Sequence, residues 1–356
     1  MISVAFYAPM KSPQHPNPSG DRQIARSIMA ALTIAGFSPI LASELRSLDI
    51  AGTDETQANL VKTAENLLPE LVARGRRDKW QIWLTYHNYY KAPDLLGPAV
   101  SAALGIPYVQ VESTRARKRL DGPWARFAAK AESAAEHADI IFYSTHRDAI
   151  ALRDYAPKGQ SLVHLHPFLD QSTLPKKSTR VGPILAAGMM RPGDKVESYR
   201  IIAKTLARCK SAWQLDIAGD GRARPEVESL MAPFGSRVRF LGQLEKSVMT
   251  KLYGTARFLF WPGYNEAIGM VYLEAQAAGL PVLAQNRPGL IDVLAPHLYY
   301  PSPEEGDEAL ATLLDTYWDN PSDPQPIQNY VQAKHLISAA AQTLQQALLP
   351  RLGIGS

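Results

Sequence analysis

Short runs of β-branched and aromatic residues alternate with longer amphipathic stretches along nearly the whole chain. This alternation predicts repeated β-α units, in which buried parallel strands are covered by amphipathic helices. In the first half of the chain, strands are predicted at residues 3–7, 39–42, 80–86, 108–111, 139–143 and 162–165. In the second half, strands are predicted at residues 184–187, 213–217, 238–241, 258–261 and 282–284.

A polar stretch at residues 170–182 follows neither the strand period nor the helix period, and it is predicted to be an interdomain linker. It separates an N-terminal domain, residues 1–170, from a second domain, residues 183–326. The last amphipathic stretch, residues 327–356, is predicted to pack back onto the N-terminal domain. The predicted fold class is therefore α/β, with two doubly wound, Rossmann-like domains that face each other across a cleft. Ligands of such sheets bind beyond the carboxyl ends of the strands.

Length and composition narrow the class of protein. The 356 residues suit two domains, and 46% hydrophobic with 20% charged residues is typical of a soluble globular protein. A single cysteine, Cys209, excludes an internal disulfide and fits a reducing compartment. The first residues predict a strand rather than a signal peptide, and no apolar run approaches the ~18 residues of a membrane span. We therefore expect a cytoplasmic location.

The net charge is +4, and two basic runs, at residues 74–79 and 115–119, carry much of it. We expect the second run to be a solvated loop. The alternative is a peripheral contact with anionic lipid headgroups at the inner membrane face, or with a phosphorylated acceptor. Nucleic-acid binding is not expected, because neither run is interleaved with stacking aromatic residues and no binding motif accompanies them.

The most informative stretch is residues 260–284, which reads as a buried strand, a loop and a short helix. The loop carries Glu266, and the helix is predicted at residues 267–278. Gly279 suits a left-handed helix stop, and Pro281 prevents continuation. The backbone N–H groups at the start of this helix would lie beyond the carboxyl end of a strand, where they favour a phosphate group.

Glu266 and Glu274 are separated by seven residues, with Gly269 between them and Ala-Ala-Gly-Leu-Pro-Val after them. This arrangement resembles the Glu-x7-Glu motif of retaining GT-B glycosyltransferases of family 4. Three further segments resemble that family in the same order along the chain. They are residues 19–21, similar to a glycine loop; residues 215–221, similar to a strand with a Gly-Asp-Gly turn; and residues 238–242, similar to the next strand.

The resemblance implies that Glu266 approaches hydroxyls of the donor sugar and that Glu274 holds the nucleotide ribose. It also implies that Lys195 stabilises the departing diphosphate. Met189 stands where the family has an arginine, so Arg191 is the candidate to replace it. Further donor-binding candidates are Ala267, Ile268, Gly269, Met270, Gly20, Asp21, Gly219, Asp220 and Leu244. The alternatives are that the glutamates serve as a helix-end charge and a surface residue, and that the two cations are loop charges.

Polar and aromatic residues follow the predicted strand at 80–86, where side chains should project towards the acceptor. His87 is the candidate catalytic residue of this domain, although a buried structural histidine is the alternative. Sugars stack on aromatic faces, which makes an aromatic wall plausible for an acceptor. The acceptor-side candidates are Tyr86, Asn88, Tyr89 and Glu112.

The resemblance implies transfer of a sugar from a UDP- or GDP-linked donor to a carbohydrate or lipid-linked acceptor, with retention of configuration. The chain has no Asp-x-Asp pair of the metal-holding type, so protein cations are expected to replace a metal, and no further cofactor is expected. The alternatives are a non-catalytic sugar-nucleotide-binding protein of the GT-B fold and a GT-B sugar-nucleotide epimerase.

Overall fold

The computed structural model describes residues 1–17, 19–266, 268–320 and 323–354. The chain divides into two compact units, and each has a parallel β-sheet with helices on its faces. Unit 1 comprises Met1–His166 together with Ile337–Ser356, and unit 2 comprises Pro167–Leu336. Both units therefore have the predicted α/β class and the doubly wound arrangement of a Rossmann-like sheet.

Unit 1 has a six-stranded sheet in the order β2-β1-β3-β4-β5-β6, in which all neighbouring strands are parallel. Its strands are β1 Ile2–Tyr7, β2 Phe37–Ser43, β3 Ile82–Tyr86, β4 Tyr108–Val111, β5 Ile140–Tyr143 and β6 Ser161–His164. Its first five helices are α1 Gly20–Ile34, α2 Asp54–Arg77, α3 Gly97–Leu104, α4 Ala125–His137 and α5 His146–Asp154.

Unit 2 has a five-stranded parallel sheet in the order β11-β10-β7-β8-β9. Its strands are β7 Ile184–Ala187, β8 Leu215–Ala218, β9 Val238–Gly242, β10 Leu259–Phe260 and β11 Val282–Leu283. Its helices are α6 Asp194–Arg208, α7 Arg224–Met231, α8 Lys246–Tyr253, α9 Met270–Ala277, α10 Gly306–Asp319 and α11 Pro324–Lys334. The strand order reverses between β7 and β10, and the carboxyl ends beside such a reversal are where open parallel sheets bind ligands.

All eleven predicted strands overlap strands of the described chain. The central strands are buried on both faces, which explains why they read as nearly continuous apolar runs. Helix α9 ends where Gly279 takes a φ of +70°, as its position in the sequence predicts.

Only part of the C-terminal stretch, predicted at residues 327–356, packs back onto the N-terminal domain. The stretch forms two helices, α11 and α12 (Ile337–Leu348), and only the second belongs to unit 1. Gln328 in α11 donates to the carbonyl oxygen of Ala277 at 2.8 Å, within unit 2. Helix α12 packs against α1, and Gln345 donates to the carbonyl oxygen of Ala35 at 3.0 Å. The amphipathic period continues through both helices, so it does not reveal the break between them.

The stretch predicted as a linker has no regular secondary structure, but it is attached to unit 2 along its length. The backbone N–H of Ser178 donates to Ala278, that of Thr179 to Gly254, and that of Gly182 to Thr255, at 2.8 to 3.0 Å. The chain therefore joins unit 2 at Pro167, before the predicted boundary. Among the described residues, no helix combines the length and the apolar character that crossing a bilayer would require.

Candidate functional site

In unit 2, two predicted site residues meet at the carboxyl ends of β7 and β10, which are neighbours in the sheet. Lys195 lies in the first turn of α6, after β7, and Glu266 lies in the loop after β10. The Lys195 Nζ is 2.6 Å from Glu266 Oε2, and the side chains are 28% and 16% exposed. This pair is half-buried but reachable from solvent, so each partner can exchange the other for a ligand group.

Trp261, which the sequence analysis did not select, contacts both partners of this ion pair. Its indole N–H donates to Glu266 Oε2 at 3.2 Å, and Lys195 Nζ lies 5.4 Å from the centre of its ring. The ring is 1% exposed and packs edge-on against Tyr199 at 5.2 Å. A Cβ on Gly188 would lie 2.4 Å from this ring, so the backbone after β7 requires glycine there. Its place at the carboxyl end of the predicted strand, residues 258–261, was the signal that could have identified Trp261.

The loop that carries Glu266 has a fixed shape. Gly263 has a φ of +77°, and Asn265 has a φ of +49°. The Asn265 amide donates to Asp194 Oδ2 at 2.8 Å, and the Tyr264 backbone N–H donates to Ser198 Oγ at 3.2 Å. Both partners are in α6, so the loop and Lys195 are held by the same helix.

Helix α9 begins at Met270, three residues later than predicted, with Gly269 as its N-cap. Gly269 has no side chain that could accept from the first N–H groups, and no acidic residue lies in the first turn of this helix. A Cβ on Gly269 would lie 2.4 Å from the Tyr272 ring, so internal packing alone already requires this glycine. Ile268 and Met270 are partly buried against the core of unit 2, and the predicted site residue Ala267 lies outside the described residues.

Glu274 lies on α9 and is half-buried rather than at the open surface. The Tyr253 hydroxyl, from α8, donates to Glu274 Oε2 at 2.8 Å. Burial raises the pKa of Glu274 above its ordinary value, while the hydrogen bond from Tyr253 and the charge of Lys246 act in the opposite direction. Tyr253 was also missed by the sequence analysis, because no recognisable motif surrounds it.

The Gly-Asp-Gly turn after β8 has a structural role that the sequence analysis did not assign. Gly219 has a φ of +143°, and a Cβ there would lie 2.0 Å from the carbonyl oxygen of Gly188. Asp220 accepts from the backbone N–H of Gly221 at 2.7 Å and from Arg224 at 3.1 Å. These contacts within unit 2 account for a glycine at position 219 and an aspartate at position 220. The predicted contact of the two residues with a donor stays a prediction.

The other unit 2 candidates occupy ordinary positions. Arg191 is exposed, in the turn between β7 and α6, and Met189 beside it is 40% exposed. Leu244 is partly buried against the core. The turn brings Arg191 close in sequence to Lys195 but gives it no measured contact with the ion pair, so its role stays a prediction.

In unit 1, His87 follows β3 directly and has a φ of +65°. Its Nδ1 lies 3.3 Å from Asp21 Oδ1, with side-chain exposures of 24% and 35%. This is an ion-pair contact without the geometry of a well-aligned hydrogen bond, since Nδ1 has no such bond among the described residues. Burial lowers the pKa of His87, but Asp21, Glu112 and Asp148 outweigh burial, so the pKa is raised above its ordinary value.

Gly20 and Asp21 do not form the predicted glycine loop. They are the first two residues of helix α1, whose N-cap Ser19 accepts from the backbone N–H of Arg22 at 3.3 Å. A serine N-cap followed by an acidic residue in the first turn stabilises the start of a helix, so these residues form a helix instead of a loop. Asp21 nevertheless lies next to His87, so the two predicted residues are brought together.

The prediction that Asn88 lines the acceptor wall is wrong. Its side chain is fully buried, and its amide donates to Ser113 Oγ at 3.1 Å and to the carbonyl oxygen of Ala131 at 3.0 Å. Its Oδ1 accepts from the backbone N–H of Asp94 at 3.0 Å. The amide therefore holds the loop after β3 onto α4, and it is not available to a ligand.

The other predicted residues of the acceptor side lie around His87. Tyr86 is 1% exposed, so like Asn88 it does not line an open wall, and its ring lies 5.6 Å from that of His87. The half-buried Tyr89 ring lies 5.6 Å from His87 on the other side. Glu112 has a φ of +55° and accepts from the Ser144 hydroxyl at 2.8 Å.

We expect the Asp21→Asn substitution to lower the pKa of His87, because it removes a negative charge at 3.3 Å. Since the folded state raises this pKa, the pair contributes stability while His87 is protonated, and that contribution is lost as pH rises through the folded pKa. NMR titration of the His87 ring in the whole protein measures the shift. Glu55→Gln, in the first turn of α2, is the control and should leave the titration unchanged; equal titration curves for wild type and Asp21→Asn would contradict the assignment.

This chain is similar to known proteins in two ways, in the sequence of residues 183–316 and in the fold of nearly the whole chain. Residues 183–316 match the family described as glycosyl transferases group 1. A GDP-mannose-dependent monoacylated alpha-(1-6)-phosphatidylinositol monomannoside mannosyltransferase of Corynebacterium glutamicum is 31% identical over 156 residues, which are 40% of this chain and 41% of that protein. The chain spans about a quarter to two fifths of the length of the first curated relatives that it matches.

Solved structures match nearly the whole chain at low identity. The lipopolysaccharide outer core galactosyltransferase WaaB, in its apo form, has a TM-score of 0.70 and 14% identity, covering 98% of this chain and 100% of that chain. Anabaena HepE in complex with UDP has a TM-score of 0.68 and 16% identity, with the same coverage. At such identity the likeness shows the fold, which is that of GT-B glycosyltransferases. Residues 183–316 therefore match the glycosyl transferases group 1 family, and the fold of the chain is of the GT-B type.

Proposed function

We propose that the chain is a glycosyltransferase that moves a sugar from a nucleoside-diphosphate donor to a carbohydrate or lipid-linked acceptor, with retention of configuration. The observation that carries this proposal is the contact between Lys195 and Glu266 at the carboxyl ends of β7 and β10. A cation, a carboxylate and the start of α9 meet there, and a sugar diphosphate needs all three kinds of group.

In this proposal, the Glu266 carboxylate accepts hydrogen bonds from hydroxyls of the donor sugar, while Trp261 keeps hold of one oxygen. Lys195 leaves Glu266 to pair with the diphosphate, whose negative charge grows as its bond to the sugar breaks. Glu274, fixed by Tyr253, accepts hydrogen bonds from the two ribose hydroxyls. Each group then contacts a different part of one donor molecule.

The resemblance to family 4 supports retention, and in this proposal it takes the form of a front-face reaction. The bond between the anomeric carbon and the diphosphate oxygen breaks, and the acceptor oxygen bonds to the same face of that carbon. The acceptor proton passes to the departing diphosphate, which becomes the leaving nucleotide. Protein cations, Lys195 and the exposed Arg191, stabilise that charge, so we expect transfer to persist in the presence of EDTA.

The nucleoside diphosphate of the donor is UDP or GDP in this proposal. Anabaena HepE has been solved in complex with UDP and with UDP-glucose, and the Corynebacterium relative is named as GDP-mannose-dependent. The exposed Met189, which stands where a cation was expected, favours one second candidate, a sugar-nucleotide-binding protein without turnover.

A donor screen tests the proposal and separates the candidates. We expect UDP- or GDP-sugars to raise the melting temperature of the whole protein, since a ligand at 100 times its Kd adds ~2.7 kcal/mol to the free energy of unfolding. An enzyme also releases nucleoside diphosphate, and the anomeric configuration of its product is then read by NMR. Glu274→Gln is expected to weaken the donor effect, whereas Glu304→Gln, an exposed glutamate of the same unit, should not.

Each result of the screen has a distinct meaning. Stabilisation without nucleotide release would support the binding protein, and interconversion of the donor sugar without transfer would support the epimerase. The absence of stabilisation by any nucleotide sugar would contradict all three functions.

A further inference from the structure

The loop after β3 in unit 1 ends in a tight turn with a lysine at its tip. The backbone N–H of Ala92 donates to Tyr89 at 2.8 Å, and the N–H of Tyr89 donates to Ala92 at 3.3 Å, so Tyr90 and Lys91 form a two-residue turn. Both side chains are half-buried. The two hydrogen bonds close the turn and so fix where these side chains project.

Aromatic rings connect His87 to this turn and beyond it. The ring of Tyr89 lies 5.6 Å from His87 and 4.7 Å from Tyr90, and Tyr90 lies 5.9 Å from Trp124. Trp124 is fixed in place, because its indole N–H donates to the carbonyl oxygen of Asp49 at 3.2 Å. The aromatic row, defined as Tyr89, Tyr90 and Trp124, is therefore a continuous aromatic surface that begins beside His87.

Two cations lie over the end of the aromatic row. Lys91 Nζ is 4.6 Å from the Trp124 ring centre and 5.8 Å from that of Tyr90. The Arg119 guanidinium carbon is 5.3 Å from the Tyr90 ring centre and 5.8 Å from that of Trp124. Each cation therefore lies within 5.8 Å of the same two ring centres, and the attraction of each ring for a cation is only ~0.5–1 kcal/mol at an exposed site.

The two cations lack acidic partners within the described part of the chain. Among the residues that the structure describes, neither Lys91 nor Arg119 has a carboxylate at ion-pair distance, and Arg119 Nε is buried without a hydrogen-bond partner. The carboxylate of Asp49 accepts instead from backbone N–H groups of its own loop. Arg115, from the same basic run, shows the contrast: it is 2% exposed and pairs with Glu132 at 3.0 Å.

We propose that Lys91 and Arg119 bind a phosphate group, and that this group belongs to the acceptor. A phosphate supplies the negative charge that no described carboxylate provides here, and a guanidinium and an ammonium are its preferred partners. A ring of the acceptor then stacks on the aromatic row, between the phosphate and His87. The role as an acceptor site rests on the proposed transferase function, whereas binding of phosphate does not.

Two sources can supply this phosphate, a soluble phosphorylated sugar or polyol and the headgroup of an anionic lipid. Isothermal titration calorimetry of the whole protein with inorganic phosphate, at constant ionic strength with chloride as the compensating anion, tests the shared chemistry. Co-sedimentation with vesicles of phosphatidylcholine and phosphatidylglycerol, against pure phosphatidylcholine, tests the lipid source. Binding of inorganic phosphate without vesicle binding assigns the soluble source.

We expect Lys91→Gln and Arg119→Gln each to raise the Kd for phosphate at least about tenfold, the effect of losing one charge-assisted hydrogen bond. Lys118→Gln is the matched control, because Lys118 is exposed in the same basic run and lies over no ring of the aromatic row. Its Kd should stay within a factor of about two, since only a general surface charge is lost.

Three results would overturn the proposal. They are no binding of phosphate or anionic vesicles by the wild-type protein, equal losses in Lys118→Gln and the two test variants, and full binding by the double variant. Thermal stabilisation by UDP- and GDP-sugars, measured on the same variants, separates this proposal from the proposed function. Phosphate binding without any donor effect would leave the anion site standing and remove the transferase.

Discussion

The substitution Lys195→Ala is expected to lower kcat for sugar transfer ~10²–10³-fold, the usual cost of removing one group that stabilises transition-state charge. Lys195 is the cation that the structure places 2.6 Å from Glu266, at the start of α6. Its charge should matter most when the diphosphate departs, so kcat should fall more than the affinity for the donor. Steady-state kinetics with the donor found in the screen measure both quantities.

Lys204→Ala is the control for Lys195→Ala, because Lys204 lies on the same helix and is exposed. It should leave kcat unchanged. The double variant Lys195→Ala with Glu266→Gln should lose less than the product of the two single losses, because the residues contact one another. Near-normal kcat in Lys195→Ala would remove Lys195 from the proposed chemistry.

Gly219→Ala is expected to destabilise the protein by about 3 kcal/mol or more, which is the range of strained, overpacked backbone positions. The new Cβ would lie 2.0 Å from the carbonyl oxygen of Gly188, and φ at this position is +143°. The segment after β7 could not keep its place beside β8, so the support for Trp261 would be lost too. Chemical denaturation of the whole protein measures the loss.

Gly254→Ala is the control for this second substitution. Gly254 is in the same unit and has a φ of −69°, and a Cβ there would meet the carbonyl oxygen of Lys251 at 3.3 Å. We expect a change of about 1 kcal/mol or less in the free energy of unfolding. If both substitutions cost the same, the close approach of Gly219 to Gly188 would not be what requires glycine.

The fold could be predicted from the sequence because its strands are buried on both faces. Tyr108–Val111 and Ile184–Ala187 were predicted at their observed bounds, since each is a short apolar run bordered by polar or turn residues. The left-handed conformation of Gly279 was also predictable from local sequence, because a left-handed residue after a helix favours glycine.

The candidate site could be predicted only in part. The sequence pointed to Lys195 and Glu266, which lie in contact, but it could not show that Trp261 and Tyr253 hold the two glutamates. Such partners are set by the packing of distant segments. Asn88 was misjudged for the same reason, since a polar residue after a strand looks alike whether it faces a ligand or ties a loop to the next helix.

Unit 1 is built from two separate segments, residues 1–166 and 337–356, and this affects the order in which the units fold during synthesis. Residues 167–336 are contiguous, whereas unit 1 lacks α12 until residues 337–348 have been translated. A nascent chain that has reached residue 336 therefore exposes the side of α1 that α12 later covers. Unit 2 can therefore complete its core before unit 1 does, and chaperones have a defined apolar surface to recognise in the interval.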